Sequence, residues 1–318
     1  MSADHHSGHD HGSHDHDHGS HGNGHGHGHG HGSHGHDHTH LDWAELAPLL
    51  TVQAETQSPL YAAAAAWLAS LFPDGAVRRV LDVGSGPGVV TALLAEAFPE
   101  AEVVAVDATP ELLALARERA EDRGLGDRVG TLRAELPGDF GSLGTADLIF
   151  ASNSLHHIGD QRAAIASFAG LLNPGGVLAL AEGGLPERHL PWNQGVGRPG
   201  LEARLDAAHA EWFGEMRASL PDSKEEIDDW AALLTGAGLD PSGTRSFLAD
   251  VPAPVPDAVR GQVVAHYERL REGFGDRLPD EDRAAVERLL DPAEPLSLHR
   301  RPDVFLLLAR TVHTARKS

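Results

Sequence analysis

The sequence predicts an α/β domain in which a mostly parallel β-sheet carries helices on both faces. Short runs rich in Val, Leu and Ile alternate with helical patterns, and a cluster of glycines follows the first of these runs. Strand and helix alternation of this kind indicates parallel strands joined by helical crossovers. The predicted strands are 79–83, 102–106, 129–133, 146–151 and 177–182. The predicted helices are about 89–98, 110–121 and 161–172.

A further helix is predicted before the first strand. Ser58 is expected to cap this helix, and Pro59 to occupy its first position, where a missing N–H costs nothing. Apolar residues at helical spacing follow as far as Leu71, and Pro73 ends the pattern. Folded structure is expected to start near Leu41.

The second half of the chain contains two stretches that interrupt the α/β pattern. A late helix is predicted at 227–239, a sixth strand at 244–251 and a seventh at 304–311. Long insertions commonly form functional lids, so we expect a helical cap over the substrate site. The predicted domain, 41–318, has its core at about 76–184, 226–251 and 302–312, with cap insertions at about 185–225 and 253–300.

Residues 1–40 form a tail of low complexity, dominated by His, Gly, Asp and Ser, which contains 16 of the 23 histidines. Such a composition cannot build a core, so this tail is predicted to be disordered. It could be an expression tag, an inert solvated tail or a multisite binder of transition metals. Neutral imidazoles suit Ni(II), Zn(II) and Cu(II). Non-catalytic Ni or Zn ligands are therefore predicted at His25, His27, His29 and His31.

Composition excludes some functions and disfavours others. The chain has no cysteine, which excludes disulfides and thiolate catalysis. It shows no transmembrane run and no signal-peptide pattern, so no membrane association and a cytoplasmic location are expected. The tail has five Asp and no Lys or Arg, so residues 41–318 carry a net charge of −17. That charge disfavours a nucleic-acid partner, which would need a basic groove.

The segment from Arg79 to Asp107 indicates a nucleoside-containing ligand. Glycines at a strand-to-helix turn let a ligand approach the backbone N–H groups of the helix N-terminus. An acid at the tip of the next strand, here Asp107, is placed to accept hydrogen bonds from a ribose. A dinucleotide-binding fingerprint would have its third glycine at position 89. Val89 therefore disfavours a nicotinamide oxidoreductase.

The run Val-Leu-Asp-Val-Gly-Ser-Gly-Pro-Gly at 80–88 resembles motif I of the class I S-adenosylmethionine-dependent methyltransferases. Further matches follow in the family's order at Asp107, Ala134-Glu135, 146–157 and 171–178. The resemblance implies a Rossmann-like, seven-stranded sheet and S-adenosylmethionine as cofactor. The cofactor contacts that it implies are Asp82, Gly84, Ser85, Gly86, Gly88, Asp107, Ala108, Ala134, Glu135, Ser152 and Asn153.

Candidate catalytic residues follow the fourth and fifth strands. The Leu-His-His run at 155–157 is similar to one in methyltransferases of ubiquinone and menaquinone biosynthesis. His157, or else His156, is predicted to contact the methyl acceptor or take its proton, unless both only bind loop backbone. Glu182 is a further candidate base or acceptor ligand. In the first insertion, His189 and Trp192 are expected either to line the pocket or to lie on the lid surface.

The predicted function is therefore methyl transfer from S-adenosylmethionine to a small-molecule acceptor by in-line displacement. The protein's main task would be to hold the donor and the acceptor in line. The alternative is a metal-handling protein that uses the His-rich tail for Ni or Zn on a methyltransferase scaffold.

Overall fold

A computed structural model describes residues 46–318, and these form one α/β unit. Seven strands build a single sheet: β1 (Arg79–Val83), β2 (Glu102–Asp107), β3 (Val129–Arg133), β4 (Ala146–Ser152), β5 (Leu172–Arg188), β6 (Asp240–Val251) and β7 (Leu306–Arg316). Nine α-helices are described in this range: α1 (Ala47–Thr56), α2 (Ser58–Ala69), α3 (Val89–Ala97), α4 (Pro110–Asp122), α5 (Gln161–Leu171), α6 (Leu201–Ala218), α7 (Trp230–Gly236), α8 (Asp257–Phe274) and α9 (Asp280–Leu290).

The strands lie in the order β3-β2-β1-β4-β5-β7-β6. Strands β1 to β5 run parallel, and β7 is antiparallel to both of its neighbours. The chain winds outward from β1 in one direction through β2 and β3, and from β4 in the other. The carboxyl ends of β1 and β4 therefore border the crevice where open α/β sheets bind ligands. The predicted seven-stranded, Rossmann-like fold is confirmed.

The core has two layers, one on each face of the sheet. Side chains of β1 alternate between the layers, since Val80 packs with α2 and α3 whereas Leu81 packs with α5 and α7. Both of these side chains have no solvent-accessible area. This two-sided burial explains why the strands read as nearly continuous apolar runs. In residues 46–318 no helix has both the length and the apolar character needed to cross a membrane.

Strand β5 is much longer than the predicted run 177–182. Residues 173–176, within the family match at 171–178, form an irregularity in this strand, because Ala146 pairs with Leu172 whereas Leu148 pairs with Val177. At its other end β5 continues beyond the core alongside β7, as far as the pair Arg188–Leu307. The late elements also differ slightly in extent, since α7 is shorter and β6 longer than predicted.

The start of the described region contains a helix that the sequence pattern does not predict. Helix α1 leads almost directly into α2, and Gln57 between them keeps helical dihedral angles of −88° and −1°. The prediction that Ser58 caps α2 is therefore wrong by one position, because Ser58 is already its first helical residue. Gln57 makes no side-chain cap; its backbone N–H donates to Gln53 O in α1, and its carbonyl oxygen accepts from Leu60 N and Tyr61 N in α2.

Candidate functional site

The glycine-rich loop connects β1 to α3 at the carboxyl edge of the sheet. Gly84, Gly86 and Gly88 have φ angles of 70°, 53° and 75°, in the left-handed region that favours glycine. Helix α3 begins immediately after Gly88. The loop therefore lies against a helix N-terminus, where unpaired N–H groups and the helix dipole favour polar or anionic ligand groups.

The three glycines of this loop have different surroundings. A Cβ atom at Gly84 would lie 2.7 Å from Cβ of Ser154, and one at Gly88 would lie 2.5 Å from Cα and Cβ of Ala116 on α4. A Cβ atom at Gly86 would meet nothing within 4 Å. Gly84 and Gly88 therefore allow close packing within the protein, whereas Gly86 borders open space that a ligand could enter.

Asp107 ends β2 directly beside this open space. Its Oδ2 accepts a hydrogen bond from Gly86 N at 2.9 Å, and its Oδ1 accepts one from Thr109 N at 2.9 Å. Each carboxylate oxygen can accept more than one hydrogen bond, so both retain capacity for a ribose hydroxyl. Ala108, which follows, is exposed. The carboxylate thus fixes the position of Gly86 and can still receive a ligand.

Asp82 lies beneath the loop and is sealed from solvent. Its side chain is 2% exposed, and Thr91 Oγ1 donates a 2.6 Å hydrogen bond to Oδ2. Burial raises the pKa of Asp82 to about 7, against the opposing effect of the Thr91 hydrogen bond. The neighbouring Ser85 has a buried hydroxyl oxygen with no partner among residues 46–318. Asp82 therefore links the end of β1 to the first turn of α3.

Ala134 and Glu135 follow β3 on the far side of Asp107. Ala134 is 4% exposed, and its N–H donates to the carbonyl oxygen of Asp107 at 3.0 Å. Glu135 is exposed, and its backbone N–H donates to Asp139 Oδ2 at 2.8 Å. Ala134 is thus buried beside the backbone of Asp107, whereas Glu135 is exposed to solvent.

Tyr61 of α2 covers the end of β4. Its hydroxyl lies 2.9 Å from Ser152 Oγ and 3.4 Å from Asn153 Nδ2. Asn153 has a positive φ of 48°, a conformation that asparagine tolerates better than most residues. The sequence reasoning missed Tyr61, although a polar hydroxyl within an otherwise apolar helical stripe was a visible signal.

Glu182 holds the turn that carries His156 and His157. Its Oε1 accepts hydrogen bonds from Ser154 N and Leu155 N, both at 3.0 Å, and its Oε2 lies 3.2 Å from His156 Nδ1. The ring of His157 lies 4.2 Å from that of His156. Desolvation, with repulsion from His156, lowers the pKa of His157 to about 4, so its imidazole is neutral at pH 7.

A buried polar cluster, here called the cap cluster, connects the end of β5 with α6 and α8. It consists of Glu187, His189, Glu202 and Tyr267. His189 is 1% exposed and lies 3.3 Å from carboxylate oxygens of both glutamates, and Tyr267 donates to Glu202 at 3.2 Å. Burial alone would raise the pKa of Glu187, but the His189 contact and nearby positive charge lower it to about 2.

The two candidate lid residues thus have different positions. His189 is buried in the cap cluster, whereas Trp192 is 76% exposed on the surface.

The predicted metal ligands His25, His27, His29 and His31 lie outside the described residues. Within residues 46–318, no group of three or more His, Asp or Glu side chains is arranged to hold a metal ion.

Comparison with known proteins matches this chain to methyltransferases. A family model described as a methyltransferase domain matches residues 81–178. A trans-aconitate 2-methyltransferase of Methylobacterium nodulans is 34% identical over 224 residues, which cover 64% of this chain and 81% of that protein.

Two further matches cover different shares of the chains. The protein with the same name from Methylobacterium radiotolerans is 35% identical over 157 residues, and the match spans 44% of this chain but only 56% of that relative. The solved structure of a geranyl diphosphate methyltransferase in complex with S-adenosylmethionine aligns over 81% of this chain and 85% of its own, with 14% identity and a TM-score of 0.44.

Proposed function

Because the chain belongs to the class I S-adenosylmethionine-dependent methyltransferases, we propose that it methylates a carboxylate oxygen of a small organic acid. Methyl transfer to a small molecule is supported by the names of the relatives, which are trans-aconitate 2-methyltransferases. The carboxylate acceptor is suggested by the name of the relatives, since trans-aconitate is an organic acid. A cytoplasmic location and the absence of a nucleic-acid partner remain predictions.

The observation that carries the cofactor assignment is the open space at Gly86 beside Asp107. The space fits a ligand that approaches the loop closely, and Asp107 retains acceptor capacity for a ribose diol. We propose that Gly86, Asp107 and Ala108 hold the nucleoside part, and that Ser152 and Asn153 border the amino-acid part. Gly84, Gly88, Asp82, Ser85 and Ala134 would shape this site from behind, and Glu135 would be peripheral.

The bound cofactor supplies a methyl group that is already activated by its sulfonium. A carboxylate acceptor is ionised at neutral pH, so no protein base has to remove a proton. This agrees with the contacts of Glu182, which is 4% exposed and whose oxygens contact the turn and His156. We therefore propose that Glu182 and His156 position the turn. The neutral His157 could contact the acceptor without changing its charge.

The proposal is tested by calorimetry and by product analysis. S-adenosylhomocysteine should bind with micromolar or better affinity, and NAD should not bind. Incubation with S-adenosylmethionine and trans-aconitate should give a product heavier by one methylene group that base hydrolysis returns to the acid. A product that resists hydrolysis would indicate methylation of carbon. Preference for NAD would refute the cofactor assignment itself.

A second proposal concerns the tail and comes from the sequence alone. Sixteen histidines separated mainly by Gly, Ser and Asp supply imidazole ligands without a fixed geometry. We propose that this tail binds several Ni or Zn ions weakly and takes no part in methyl transfer. Equal turnover of the full chain and of a variant lacking residues 1–40 would agree with this accessory role.

A further inference from the structure

Helix α8 carries a polar face that is largely turned away from solvent. Gln262, His266 and Arg269 are spaced four and three residues apart, so they share one side of the helix. Gln262 is 3% exposed, and both its amide nitrogen and its amide oxygen lack hydrogen-bond partners in residues 46–318. Nη1 of Arg269 is likewise sealed from solvent and unpaired. Buried polar groups normally have partners, so this face has unused capacity to bind a polar ligand.

Arg310 of β7 has the same unusual property. Its Nε is sealed from solvent, and the guanidinium groups of Arg269 and Arg310 make no hydrogen bond or ion pair with any residue of 46–318. By contrast, the buried Arg301 bonds Asp303 through two nitrogens. Both unpaired arginines lie within electrostatic range of Glu187 in the cap cluster. Glu187 offsets part of this positive charge, and Glu268 and Glu272 also interact with Arg269. None of these carboxylates hydrogen-bonds to either guanidinium, so the N–H donors remain available to the carboxylate of a ligand.

Glu187 lies close to the candidate cofactor mouth. Gln57 and Tyr61 are one helical turn apart, and Gln57 contacts Glu187 at 3.4 Å whereas Tyr61 contacts Ser152 at the mouth. The strands give a distance between the mouth and Arg310. The carbonyl oxygen of Ala181 accepts a hydrogen bond from Asn153 N at the mouth. Gly184, which pairs with Arg310, lies roughly 10 Å further along β5. A small organic acid could therefore reach from the cofactor mouth to Arg310.

We propose that Arg269 and Arg310, together with the Gln262 amide, bind a carboxylate of the acceptor other than the one that is methylated. The inference rests on the proposed function and extends it to acceptors with at least two carboxylates. An oxygen that accepts bonds from two guanidinium groups is a poor nucleophile, so the carboxylate bound by these arginines is not the one that is methylated. The second carboxylate reacts: its oxygen forms the O–CH₃ bond, the C–S bond breaks with its electron pair on sulfur, and no proton moves.

The test is calorimetric titration of the protein saturated with S-adenosylhomocysteine. The probe is propane-1,2,3-tricarboxylate, and its neutral trimethyl ester is the control ligand. We expect R269Q and R310Q to bind the tricarboxylate at least tenfold more weakly than the unmodified protein, and R269K to fall between. The matched control is R271Q on the same helix, since Arg271 pairs with the exposed Glu272 and Glu287. R271Q should bind the tricarboxylate normally.

The Tm of the variants shows whether the two arginines bind ligand or only stabilise the fold. Because neither guanidinium hydrogen-bonds to or forms an ion pair with a residue of 46–318, R269Q and R310Q should keep or raise the Tm and bind S-adenosylhomocysteine as before. Wild-type affinity for the tricarboxylate in both variants, equal affinity for the ester, or a lowered Tm with loss of both ligands would overturn the inference. So would a protein that binds S-adenosylhomocysteine but not the tricarboxylate. Failure to bind S-adenosylhomocysteine at all would instead overturn the proposed function.

Discussion

Alanine substitutions at three glycines should separate the cost of backbone strain from those of packing and ligand exclusion. Gly86, Gly88 and Gly124 have φ angles of 53°, 75° and 69°. An L-residue in this region is destabilised by about 1–2 kcal/mol. A Cβ atom at Gly124 or Gly86 meets nothing within 4 Å, whereas one at Gly88 overlaps Ala116 at 2.5 Å. The three variants therefore share the cost of backbone strain. They differ in steric overlap within the protein and in exclusion of the ligand.

Gly124→Ala should lower the free energy of unfolding by about 1–2 kcal/mol, from strain alone. Gly86→Ala should lower it by the same amount. Gly88→Ala should lose about 2–5 kcal/mol, because overpacking between α3 and α4 adds about 1–3 kcal/mol. Affinity for S-adenosylhomocysteine should follow a different order. Gly86→Ala places a methyl group in the ligand space and should weaken binding at least a hundredfold, which corresponds to about 2.7 kcal/mol.

Urea denaturation measures the free energy of unfolding, and calorimetry measures the affinity for S-adenosylhomocysteine. Gly124→Ala controls for both, since it should bind S-adenosylhomocysteine like the unmodified protein. The reasoning fails if Gly88→Ala is as stable as Gly124→Ala, or if Gly86→Ala binds the ligand within threefold of Gly124→Ala. Either result would mean that the loop adopts another conformation.

Four other changes have defined expectations. Asp107→Ala should weaken S-adenosylhomocysteine binding by about 1.5–3 kcal/mol in calorimetry, and a change below twofold would remove Asp107 from the site. Asp82 has a folded pKa of about 7 against 3.8, so the stability it contributes at low pH is lost as the pH rises through 7. As the pH rises from 4 to 8, the free energy of unfolding of Asp82→Asn should therefore increase relative to that of the unmodified protein. A difference between the two proteins that does not change with pH would contradict this. Glu182→Ala should lower the free energy of unfolding by about 1–3 kcal/mol in urea, because two backbone N–H groups lose their acceptor, and an unchanged value would exclude its positioning role. Equilibrium dialysis should find several Ni or Zn ions per chain at pH 7.5 and few at pH 5.5, with imidazoles protonated near their ordinary pKa of about 6.5; retention of most of the metal after deletion of residues 1–40 would refute binding by the tail.

Local sequence patterns predicted the first half of the sheet closely. Strands β1 to β4 match the predicted runs to within one residue at each end, because each is a short apolar segment between turn residues. Helix α4 also begins where Thr109-Pro110 predicts. Burial on both faces makes such strands recognisable without knowledge of their neighbours.

Features set by distant partners could not be predicted in this way. The length of β5 depends on β7, which pairs with it from Val177 to Arg188 although it lies more than 100 residues later in the chain. The motif contains three glycines, but the sequence does not show that Ser154 and Ala116 pack against two of them. The unpaired arginines of α8 and β7 look like ordinary surface residues until the fold buries one nitrogen of each.

The position of β7 has a consequence for synthesis of the chain. This strand enters the sheet between β5 and β6, so it must be inserted after both neighbours have been made. Val251 ends β6 and Leu306 begins β7, an interval that takes roughly 3–10 s at ordinary translation rates. Throughout that time β5 has an unpaired edge and β6 has no partner, and open strand edges invite pairing between nascent chains. The sheet is completed in its middle, so the helices encoded between β6 and β7 also set how long the nascent protein is exposed to aggregation.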